Sequence, residues 1–114
     1  MDSQRIIKPS TLVPTKKTIQ LSPESFVLLV KQLRHFHDDA DLFEVDLDHM
    51  RVKGDLRVIQ QSFDKPIIGR TSTLDMAKRA AKATLPFVKI PKELELDDEF
   101  KTLVKNKGTT LLFF

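Results

Sequence analysis

The sequence predicts a small α+β domain, a two-layer sandwich of ferredoxin-like order (βαββαβ) with a C-terminal helix-strand extension. Three observations carry that expectation. Segments with an apolar period of 3.6 alternate with short runs of period 2, proline and glycine separate them, and 114 residues with 40% hydrophobic types suit one core. Residues 1–17 read as an extended basic arm, because isolated apolar residues mix there with Pro9, Pro14 and four cations without a sustained period. Residues 18–114 then form a single α+β domain.

Each element has its own signal. Thr18 to Leu21 reads as a short strand leading into a helix, with Ser22 as cap, Pro23 in the first helical position and Glu24 complementing the dipole. Leu21 and Phe26 stand at the positions of a hydrophobic staple. Phe26, Leu29, Val30, Leu33 and Phe36 form one apolar stripe. Phe43, Val45 and Leu47 alternate with Glu44, Asp46 and Asp48, which predicts a half-buried strand with a carboxylate-lined outer face. A bend near Asp48 and His49 then leads to a hairpin of strands 49–53 and 56–61 around Gly54-Asp55. Residues 62–71 read as a loop punctuated by Pro66 and Gly69. Ser72 with Asp75 predicts a capped helix to about Thr84, whose thin stripe of Leu74, Ala77, Ala81 and Leu85 allows close packing on a sheet. Phe87 to Ile90 reads as a strand between prolines. A last helix near 96–106 stops at Gly108, and Thr109 to Phe114 is a terminal strand.

Composition narrows the chemistry. There is no cysteine, tyrosine or tryptophan among the residues, which removes disulfides, thiolate ligands and thiol or phenol nucleophiles from the list of devices. No run approaches the roughly 20 apolar residues of a membrane span. The expectation is an intracellular protein, cytoplasmic or nuclear, of cellular or viral origin, and not a secreted one. No elbow, Walker or dinucleotide motif is present. The chain is therefore expected to be non-enzymatic and without a cofactor or metal.

Charge is the most informative feature. Residues 38–48 carry −6 and residues 49–92 carry +7 within a net +3. Such segregation suits electrostatic recognition. The basic block supplies Arg51, Lys53, Arg57, Arg70, Lys78, Arg79 and Lys82 as candidate contacts to successive phosphates of DNA or RNA, with little sequence preference. Gly69, Arg70, Ser72 and Thr73 combine a turn, a guanidinium and a helix start into a candidate anion cradle. Asp41, Glu44, Asp46 and Asp48 form a candidate acidic face for a protein partner. Self-association through the N-terminal arm and the C-terminal strand belongs to that alternative, an assembly module. His35-Phe36-His37 is similar in spacing to the paired histidines of HUH single-strand endonucleases, but those enzymes need a tyrosine that this chain lacks. On a helix, moreover, positions i and i+2 point to different faces.

Overall fold

A computed structural model describes residues 17–51 and 54–114. Their order is β1 (Thr18–Leu21), α1 (Phe26–Phe36), a 3-10 turn (His37–Asp39), β2 (Leu42–Asp46), α2 (Leu56–Ser62), β3 (Ile67–Arg70), α3 (Leu74–Lys82), β4 (Phe87–Ile90), α4 (Asp98–Lys107) and β5 (Thr110–Phe113). The five strands form one sheet in sequence order, β1-β2-β3-β4-β5, and every neighbouring pair is parallel. The domain is thus α/β with an all-parallel sheet. The ferredoxin-like arrangement is corrected on this point, since that fold is built on antiparallel pairs.

Two local readings account for the difference. The predicted hairpin does not form, because residues 56–62 are helix α2: Asp55 accepts the Arg57 N–H at 3.0 Å, and Leu56 and Ile59, three apart, turn into the core. Strand β3 runs through the stretch predicted as loop. Ile67, Ile68 and Gly69 are all buried, the continuous run that a central parallel strand shows, and Pro66 lies just outside it with its carbonyl accepting the Phe43 N–H. Helix α1 also begins three residues late. Ser25 is the cap and accepts the Leu28 N–H at 3.1 Å, while Glu24 stays in the loop with its carbonyl accepting the Arg51 N–H. Likewise Thr73, not Ser72, caps α3, accepting the Met76 N–H at 3.2 Å.

The remaining elements follow the expected chemistry. Helix α4 is capped by Asp97 and closed by Gly108, whose φ of 69° is the left-handed conformation that glycine adopts without penalty. Ala77, Ala80 and Ala81 of α3 are fully buried. A methyl at Gly69 would stand 3.0 Å from Leu47 and Leu85 and 3.4 Å from Ala80, so the bare glycine lets the alanine-rich helix lie close on the sheet.

Strand order that never reverses makes each connection a β-α-β step to the next strand, and right-handed steps in one direction place the helices on one face. One core joins Leu29 and Leu33 of α1, Ile59 of α2, Ala77 and Ala80 of α3 and Phe100 of α4 to Phe43, Val45, Ile67, Val88 and Ile90. The alternate strand positions face the other way. In register they form two rows: Gln20, Glu44, Ile68, Phe87 and Thr110, then Asp46, Arg70, Lys89 and Leu112. Among the described residues no helix packs on that second face. Ile68 is buried yet stands outside the core.

Candidate binding surfaces

The seven cations of the basic block do not share one face. Arg57, Arg79 and Lys82 line a groove of about 400 Å³ with Gly54, Asp55, Leu56 and Ala83, between the start of α2 and the side of α3. Arg79 and Lys82 are exposed and three residues apart, hence on neighbouring lines of one helix face. Arg57 reaches back to its own cap residue, with Nε at 3.1 Å and Nη2 at 2.9 Å from Asp55. Those hydrogen bonds hold the Asp55 carboxyl below its ordinary range and raise the guanidinium. Lys78 turns away from the groove. Its Nζ lies 2.7 Å from both Asp97 and Glu99, and the hydrogen bond to Asp97 leads the rise in its pKa. Arg51 is exposed in the loop after β2, and Lys53 lies outside the described residues.

Arg70 is on the opposite face of the sheet, where its guanidinium carbon lies 4.3 Å from the centre of the Phe114 ring. The candidate anion cradle is therefore divided. Ser72 donates from both its N–H and its hydroxyl to Asp48 at 2.7 Å, Thr71 donates its hydroxyl to the same carboxylate, and Thr73 is spent on the α3 cap. The anion held at this helix start is the chain's own Asp48.

The four candidate partner-binding acids likewise have separate tasks. Asp41 accepts the Lys17 N–H at 2.7 Å at the entry to β2. Glu44 is 7% exposed, and Lys89 Nζ reaches it at 3.0 Å across the intervening strand β3. Asp46 accepts the Asp48 N–H at 3.1 Å. The outer face of β2 is thus not simply the solvated carboxylate edge that alternation suggests. Lys89 was not among the sequence candidates; the signal that points to it is a lone lysine inside the four-residue apolar strand Phe87–Ile90.

Opposite charges from distant blocks meet repeatedly: Lys78 with Asp97 and Glu99, Lys89 with Glu44, and His37 with Asp64 at 2.6 Å. Much of the segregation in sequence is cancelled in space. What stays concentrated is the groove cluster and the mixed-sign sheet face. Together they define an α/β domain with two separate polar surfaces. No protein-family model matches the chain, and no curated protein matches it in sequence.

Proposed function

We propose that the chain is a non-enzymatic domain that holds the phosphate backbone of DNA or RNA in the α2–α3 groove, with little preference for base sequence. The observation that carries this reading is the convergence of Arg57, Arg79 and Lys82, from two helices, on one groove. Cations spaced along a groove neutralise successive phosphates and release counterions, which gives affinity without reading base edges. No aromatic side chain lines the groove, so stacking on bases contributes nothing to it.

Fluorescence anisotropy with labelled single- and double-stranded oligonucleotides across a salt series tests the proposal. Binding to duplex should weaken with salt at about 0.9 logarithmic units per phosphate neutralised, and replacing both Arg79 and Lys82 by alanine should reduce that slope by roughly two. Absence of binding at low ionic strength, or a slope untouched by the double substitution, overturns it.

A second reading is favoured by a different observation. The sheet face opposite the helices carries acids on β2 and bases on β3 and β4. Parallel sheets are almost always covered on both faces. On this reading the chain is a protein-interaction or assembly module whose open face is covered by a partner.

A further inference from the structure

The open face has a sign pattern that matches its own rotated image. Asp46 on β2 and Arg70 on β3 are register partners and so stand at the same height along the strands. A twofold axis parallel to the strands, passing above the line between β2 and β3, preserves that height and exchanges the two positions. It sets Asp46 of each copy against the partner's Arg70, and one operation makes both contacts, as an isologous interface requires. Glu44 is already neutralised by Lys89 within its own sheet, so it brings no unpaired charge to the seam. Phe87, half-buried one row away on the same face, adds apolar area beside the ionic contacts. The helices of both copies remain outside, and each parallel sheet gains the second cover that such sheets have elsewhere.

We infer that two copies of this chain pair through these open sheet faces, with reciprocal Asp46–Arg70 contacts, an inference that rests on the assembly reading and names its partner.

The test uses the full chain, whose lack of cysteine allows a single reporter thiol. Sedimentation velocity over a wide concentration range should show a dimer that weakens with salt. Asp46→Arg and Arg70→Asp should each weaken pairing at least tenfold. Mixed in equal amounts, the two variants should pair again, because each then meets its opposite charge, a rescue that misfolded chains cannot give. Should either reversal fail to fold, Asp46→Asn keeps the acceptor for the Asp48 N–H and should still weaken the dimer. A dimer indifferent to these changes overturns the inference. Labelling of Leu112→Cys by a maleimide separates its failure from that of the assembly reading. A monomer labelled as fast as a free thiol removes the second copy and leaves the face open to a different protein. A monomer labelled slowly has this face covered by its own chain, and both fall.

Discussion

His37 shows how much a single side chain joins in this molecule. Its Nε2 lies 2.6 Å from Asp64 and its Nδ1 3.1 Å from Asp38, while Lys65 donates to the His37 carbonyl at 3.1 Å and to that of Ala40 at 2.7 Å. The 3-10 turn after α1 is thereby tied to the loop that precedes β3. A histidine near a helix end is legible in the sequence; its acid partner, 27 positions away, is not, because only the fold brings the two together. The hydrogen bond to Asp64 leads the rise of the His37 pKa above 6.5, and the same bond holds Asp64 below 3.8. A raised histidine contributes stability that is full below its unfolded value and is lost as pH climbs through the folded one. A depressed carboxyl contributes above its unfolded value and loses it as pH falls through the folded one. The contact therefore stabilises most between those two unfolded values and fades on the alkaline side. Both groups keep substantial exposure, 34% for His37 and 77% for Asp64, so the effect is small. His37→Gln should lower the urea midpoint measurably at about pH 5.5 and hardly at all at about pH 8.5. Equal losses at both values would show that protonation of His37 plays no part.

At the scale of elements, caps and periodicity decide which parts of the chain can be read in advance. Helices α1, α3 and α4 carry apolar stripes over nine to eleven residues and were visible, with starts misplaced by one to three positions where two hydroxyl residues compete for the cap. Helix α2 has only seven residues and contains Val58 and Ile59, so its period is too short to distinguish from a strand, and Gly54-Asp55 before it imitates a hairpin turn. Strand β3 is hidden for the opposite reason: Ile67, Ile68 and Gly69 are buried in succession, so there is no alternation to detect. The candidate groove depends on α2, which brings Arg57 to α3, and the separation of Arg70 from it depends on β3, which places that residue on the other face. Lys78, Arg79 and Lys82 look alike in the sequence, yet Asp97 and Glu99 of the α4 start capture the first of them. The cap assignment itself is open to measurement. Thr73→Ala should cost about 1 kcal/mol in denaturant unfolding with an unchanged slope, and Thr73→Ser should restore most of it. A neutral Thr73→Ala would move the cap back to Ser72.

At the scale of the whole molecule the governing element is a parallel sheet that, among the described residues, carries helices on one side. Strands buried on both faces are normally apolar throughout, whereas β2 places Phe43 and Val45 on the helix side and Glu44 and Asp46 on the other. That alternation is the usual mark of an antiparallel sheet, which is why the pattern of periods suggested a ferredoxin-like order. Direction of pairing is a property of the connections, and a missed helix between β2 and β3 converts a crossover into an apparent hairpin. The same topology predicts how protection is distributed. Among the described residues, strands β2, β3 and β4 have hydrogen-bonded neighbours on both sides, and β1 and β5 have one neighbour each. Sequence order equals spatial order, so opening an edge leaves the next unit intact and the sheet can fray inward from either end. Native-state hydrogen exchange should therefore find the slowest amides in β3 and its two neighbours, around Val45, Ile68 and Val88, and markedly faster ones at Thr18 to Leu21 and Thr110 to Phe113. Pairing of two copies through the open faces leaves this ranking unchanged, because it adds no strand to either edge. Uniform protection across all five strands would mean that the edges are joined to further strands. Exchange that begins in β3 would contradict the strand order itself.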